Sequence, residues 1–145
     1  MKPGIAFIVT LLLLCQCQAQ QLAATGAPLT SEAPEYTLYI FTGSDWCMNC
    51  RRLEKKVTGD PAFAESMKMN GIEIRIVDFP QRKKLDPSIL KYNHAIADKY
   101  HFEGIYPSLV LAKNDSEHFR LFYYKNQDRT EFSGFILETK AKLNE

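Results

Sequence analysis

The sequence predicts an α/β fold, a mixed central sheet of about four strands with helices on both faces. Three observations lead there. Strand-like and helix-like segments alternate in the order β-α-β-α-β-β-α, and such alternation calls for parallel pairing through crossovers. Two acid–proline pairs, Asp60-Pro61 and Asp86-Pro87, mark helix starts within that order. The last two strand segments are separated by only a short turn, so they form a hairpin that adds an antiparallel edge.

The first residues stand outside this pattern. Lys2 precedes an apolar run from Ile5 to Leu14, and small residues Cys17 and Ala19 follow where a signal peptidase reads. Residues 1–19 are therefore expected to be a secretory signal peptide cleaved after Ala19; the apolar run is too short to span a bilayer. Residues 20–35, small, polar and with two prolines, read as a flexible leader, and residues 36–145 as the folded domain. A composition of 46% apolar and 24% charged residues suits one such domain. Without residues 1–19 the 18 basic residues become 17 and equal the 17 acids. That balance gives no reason to expect nucleic acid or an anionic membrane as partner. Membrane attachment is expected only if Cys15 or Cys17 carries a lipid, and Leu14 and Gln16 are poor residues to precede such a site.

Within the domain, Tyr36 to Thr42 is aromatic and β-branched and stops at Gly43, as a buried strand does. Ser44 or Asp45 is expected to cap a helix that carries Cys50, Leu53 and Val57 inward. Gly59 interrupts it, Asp60 and Pro61 restart it with Phe63, Ala64 and Met67, and Asn70-Gly71 ends it. Ile72, Ile74 and Ile76 alternate with Glu73 and Arg75 in a second strand. The charged loop Pro80 to Pro87 follows, its basic run read as solvated surface. A helix from Asp86-Pro87 to about Tyr100 turns Ile89, Ile96 and Tyr100 inward. A short apolar strand starts at Pro107, where a missing N–H is tolerable. After a turn, Phe119, Leu121 and Tyr123 alternate in its hairpin partner, and a last helix carries Phe132, Phe135, Ile136 and Leu143 on one face.

Cleavage after Ala19 leaves two cysteines, Cys47 and Cys50, with Met48 and Asn49 between them. The pair lies where a strand gives way to a helix. Unpaired N–H groups and the helix dipole there stabilise a thiolate at Cys47, the species that attacks disulfides. Cys50 lies one turn on and its sulfur can reach back. Arg51 and Arg52 add positive charge nearby, and Asp45 opposes it. A zinc site needs two further ligands, and His94, His101 and His118 show no paired spacing. An inert pair is the other alternative. The redox reading is favoured because strand, cap and helix fall where that chemistry needs them.

With these residues in view, the chain resembles the thioredoxin superfamily. "FTGSDWCMNC" resembles that family's strand–Trp-Cys-x-x-Cys–helix, and "GIYPSLVL" its cis-proline loop before the third strand. The similarity runs from about Tyr36 to Leu143 and is closer to exported bacterial thioredoxin-like proteins than to cytosolic thioredoxin. It implies a thioredoxin-like fold, with Cys47 as attacking and Cys50 as resolving thiol. It also implies Trp46, Tyr106 and cis-Pro107 as the substrate-binding rim. No metal or organic cofactor is implied. The implied partners are a protein or peptide disulfide and a separate redox protein that recycles the pair, in the periplasm or outside the cell.

Three departures stand out. The family's buried acid on the first strand, six positions before the attacking cysteine, is Phe41 here. Asp45, Glu54 or water are the candidates for its proton-transfer role. The glycine often found before the last helix is absent from "KNQDRTEF". The inner dipeptide, Met48-Asn49, lacks the histidine of strong oxidants and isomerases, which predicts a reducing to intermediate poise. The alternative to an oxidoreductase is a peptide-binding module that kept the fold, with the Tyr106–Pro107 rim and Trp46 as its docking surface.

Overall fold

The computed structural model describes residues 33–144. The expected signal peptide and most of the leader, with Cys15 and Cys17, lie outside them. Strand β1, Tyr36–Thr42, runs through the middle of a four-stranded sheet of order β2-β1-β3-β4. It pairs in parallel with β2, Ile72–Asp78, from Tyr36 opposite Ile72 to Thr42 opposite Asp78. On its other side it is antiparallel to β3, Ser108–Lys113, which forms the expected hairpin with β4, Phe119–Tyr123. Pro34 and Glu35, at the end of the leader, are held beside that hairpin: the backbone N–H of Asn114 donates to Glu35 O at 2.8 Å, and its side-chain amide to Pro34 O at 2.6 Å.

The period-2 geometry of β1 divides the core. Tyr36, Leu38 and Ile40 face one side, with Leu53, Val57, Phe63, Met67, Phe132 and Ile136. Tyr39 and Phe41 face the other, with Val77, Tyr100 and Val110. Helices α1 (Met48–Leu53), α2 (Pro61–Met69) and α4 (Arg129–Lys142) therefore cover one face, and α3 (Pro87–Lys99) the other. Both faces of the central strand are dry, which is why it reads as an unbroken apolar run. α1 continues through a single π-helical stretch, Glu54–Thr58, closed by Gly59 N–H on Glu54 O at 2.8 Å.

Asp60 and Asp86 cap α2 and α3 with proline behind them, as expected, and Gly71 ends α2 at a φ of 69° that side chains rarely adopt. Asp128 and Glu131 form a capping box that starts α4.

Several expectations require correction. Ala64 is exposed, and only Phe63 and Met67 of α2 are buried. Ile76 is largely exposed, because β2 is an edge strand. Ile89 is 49% exposed: it lies one turn before Asn93, whose amide bonds Asp78 O, the last residue of β2, so it projects past the end of the sheet. On β4, Phe122 is the buried residue and Tyr123 is exposed. Phe135 of α4 is also partly exposed, its ring lying against Phe122.

Candidate active site

β1 delivers the chain to a tight turn. The backbone N–H groups of Trp46 and Cys47 both donate to Gly43 O, at 3.2 and 2.8 Å. A Cβ on Gly43 would fall 2.4 to 2.7 Å from indole atoms of Trp46, so only glycine allows the indole to fold back over the turn.

The helix cap expected at Ser44 or Asp45 belongs to Cys47 instead. Cys47 is extended, with φ −79° and ψ 110°, and its Sγ accepts the Cys50 N–H at 3.1 Å. A sulfur thus takes the place of a capping oxygen, and an otherwise unpaired amide points at it. Cys47 and Cys50 form a disulfide with Cα atoms 5.3 Å apart. Both are buried, while Met48 between them is 68% exposed. Asn49 carries no charge, but its Oδ1 accepts from the Arg52 guanidinium at 3.0 Å and so ties a cation to the inner dipeptide.

Ser44 and Asp45 serve the segment after β2. Ser44 donates to Asp78 through its N–H at 2.9 Å and its hydroxyl at 2.6 Å. Asp45 accepts three successive backbone N–H groups, from Gln81, Arg82 and Lys83, at 2.9, 2.7 and 2.9 Å. Partial desolvation of the Asp45 carboxyl raises its pKa, but the three amides outweigh this and hold it below the usual value. Both oxygens are committed, so Asp45 is unsuited to the proton-transfer role considered for it.

The opposite wall is aromatic. The Tyr106–Pro107 peptide bond is cis, as the resemblance implied, although β3 begins one residue later, at Ser108. Pro107 is buried, and Tyr106 and Trp46 are half-buried. Their rings meet edge to face at 5.1 Å. The indole N–H of Trp46 donates to Phe79 O at 2.9 Å. Behind Tyr106 stand Phe102 at 4.9 Å and Phe79 at 6.2 Å. Burial, then the nearby Asp78 charge, raises the pKa of the Tyr106 phenol. Phe41 is fully buried and stacks on Phe102, so the family's acid position is closed by packed rings.

The structure thus links Cys47 to Cys50 through the disulfide, and Trp46, next to Cys47, to Tyr106, which precedes cis-Pro107, through the ring contact. Sequence reasoning missed Gly43, Asp78, Phe79 and Phe102; the run "VDFP" across the end of β2 was the available signal for two of them. Among the described residues, no group of three or more His, Cys, Asp or Glu side chains is placed to hold a metal ion. Also among them, no helix is long and apolar enough to cross a membrane.

No protein-family model matches the chain. Among curated proteins it is similar to a disulfide bond reductase, DsbH, of Chlamydia pneumoniae, with 27% identity over 132 residues, 74% of this chain and 77% of that protein. Among solved structures it is similar to a DsbH oxidoreductase, with a TM-score of 0.64 and 21% identity over 76% of this chain and 73% of that one. A thioredoxin from Thermus thermophilus aligns with a TM-score of 0.49 and 14% identity over 74% and 75% of the two chains. The disulfide on the first turn after β1, the four-stranded mixed sheet and the similarity to DsbH agree: the chain is a thiol–disulfide oxidoreductase with a thioredoxin-like fold.

Proposed function

We propose that the protein works as an exported reductant of protein or peptide disulfides, with Cys47 as the attacking thiol and Cys50 as the resolving one. The observation that carries this assignment of roles is the Cys50 N–H aimed at Cys47 Sγ at 3.1 Å. An amide and a helix start favour negative charge on Cys47, whereas Cys50 lies within the helix.

In the reducing direction the Cys47 thiolate attacks one sulfur of the substrate disulfide. The substrate S–S bond breaks, a mixed disulfide forms, and the departing substrate thiolate takes up a proton. Cys50, deprotonated, then attacks Cys47 Sγ, the mixed disulfide breaks, and the second substrate thiol leaves. Two electrons have passed to the substrate, and the protein holds the Cys47–Cys50 disulfide. A separate dithiol protein must return the electrons. Trp46, Tyr106 and Pro107 form the rim against which the substrate segment lies, and Met48-Asn49 sets a reducing to intermediate poise. The Chlamydia relative is a disulfide bond reductase, which supports the same direction. Signal-peptide cleavage after Ala19 gives a periplasmic or secreted protein with residues 36–145 as its domain; a lipid on Cys15 or Cys17 would instead require processing before that cysteine and would anchor the protein.

Insulin-disulfide reduction with a dithiol donor tests this. Cys47→Ser should abolish the activity, and Cys50→Ser should accumulate mixed disulfides that mass spectrometry identifies. Full activity in both variants would refute the assignment.

A further inference from the structure

The loop after β2 has no regular secondary structure, yet it is fixed beside the cysteines. Three consecutive amides, those of Gln81, Arg82 and Lys83, converge on Asp45, two residues before Cys47. Immediately before them, Phe79 O receives the Trp46 indole and Asp78 receives Ser44. With the backbone pinned inward, the side chains of Arg82, Lys83 and Lys84 are exposed. Arg51 and Arg52 are exposed on α1, and Arg52 is tied to Asn49. Among the described residues none of these five cations takes part in an ion pair.

The neighbouring acids are engaged by uncharged donors. Asp45 takes the loop amides, Asp78 takes Ser44, and Asp86 takes the N–H and hydroxyl of Ser88. Of the other acids between Asp45 and Asp86, Asp60 and Glu73 pair with Arg129 and Arg75, and Glu54 and Glu65 are exposed. A merely solvated basic run needs no such anchor. A fixed one lowers the entropic cost of receiving a partner and presents its charge at a constant distance from the reacting sulfur.

We propose that this basic rim receives an acidic stretch of the substrate, so that the preferred substrates are proteins or peptides whose disulfide lies beside aspartate or glutamate; the proposal rests on the thiol–disulfide reading of the pair. Exchange itself is unchanged: two electrons leave the Cys47–Cys50 dithiol for the substrate disulfide. The rim acts on encounter and orientation.

The test uses three peptides with the same single disulfide and flanking glutamates, serines or lysines, each reduced by the dithiol protein. At low ionic strength the glutamate peptide should react about tenfold faster than the lysine peptide, with the serine peptide between. High salt should compress the series. The double variant Arg82→Glu, Lys83→Glu keeps the amides that hold Asp45 and leaves Arg51, Arg52 and Lys84 against two new acids, so it should bring the three rates close together. Arg82→Gln with Lys83→Gln removes two of the five cations and should narrow the series, and serves if the double glutamate variant does not fold. Equal wild-type rates at low ionic strength, or a series as wide in the variants as in the wild type, overturns the proposal. Failure to reduce even the serine peptide overturns the thiol–disulfide reading instead, and the substrate assignment with it.

Discussion

The ring of Phe41 lies 4.5 Å from that of Phe102, with their planes within 8° of parallel, at the position where the resemblance implied a buried acid. A carboxyl there would stand among Phe41's neighbours in the aromatic layer, without a polar partner. Phe41→Ala should cost about 3–5 kcal/mol in stability. Phe41→Asp should cost more, because an ionisable group is then buried unpaired. Urea unfolding measures both, and a wild-type midpoint for Phe41→Asp would contradict the packing described.

Gly43 and Trp46 make a second prediction. Gly43→Ala places a methyl group inside the volume of the indole, and the resulting overpacking should cost about 1–3 kcal/mol. The indole should leave Phe79 O and the edge of Tyr106. Trp46 is the chain's single tryptophan, so a changed emission spectrum reports its displacement directly. An unaltered spectrum together with unaltered stability would argue against the turn geometry.

The Asp45 clamp predicts a pH dependence. Its folded-state pKa is depressed, so its contribution to stability is present above the unfolded value and is lost as pH falls through the folded one. Hydrogen-exchange protection of the Gln81, Arg82 and Lys83 amides should therefore hold at neutral pH and fade below the ordinary carboxylate range. Asp45→Asn should weaken that protection at neutral pH and remove its pH dependence. Amides equally protected in wild type and variant would show that Asp45 does not hold the loop.

The inner dipeptide sets a redox expectation. Asn49→His should stabilise the Cys47 thiolate, favour the reduced pair and move the potential in the oxidising direction by some tens of millivolts, about 30 mV for each 1.4 kcal/mol. Loss of the Asn49–Arg52 bond works against part of that gain. Equilibration with glutathione at several pH values measures it, and the shift should grow as pH falls and the imidazole becomes charged. A potential identical to wild type would remove the dipeptide as a determinant of poise.

Much of the fold was legible because its signals are local. Asp60-Pro61 and Asp86-Pro87 mark helix starts wherever they occur, since proline lacks the N–H that an N-terminal helical turn leaves unpaired. The aromatic and β-branched run Tyr36 to Thr42 announced a buried strand. The cap of α1 was misread because Ser44 and Asp45 are both good capping residues by type. Their side chains were drawn away by partners 34 to 38 positions distant, at Asp78 and the Gln81–Lys83 amides.

The sequence by itself determined the order of elements and the Cys47–Cys50 pair, because each depends on residue type and spacing along a few turns of chain; the proline signature at Pro107 was legible only through the family resemblance. The tertiary structure decided that Cys47 caps its own helix and that packed rings occupy the acid's position. It also decided that Asp45 turns a charged loop into a fixed rim beside the disulfide. Those outcomes depend on which groups meet across the sheet and its loops, where hydrogen-bond donors and ring faces have one partner each, and a local pattern carries no record of which partner wins.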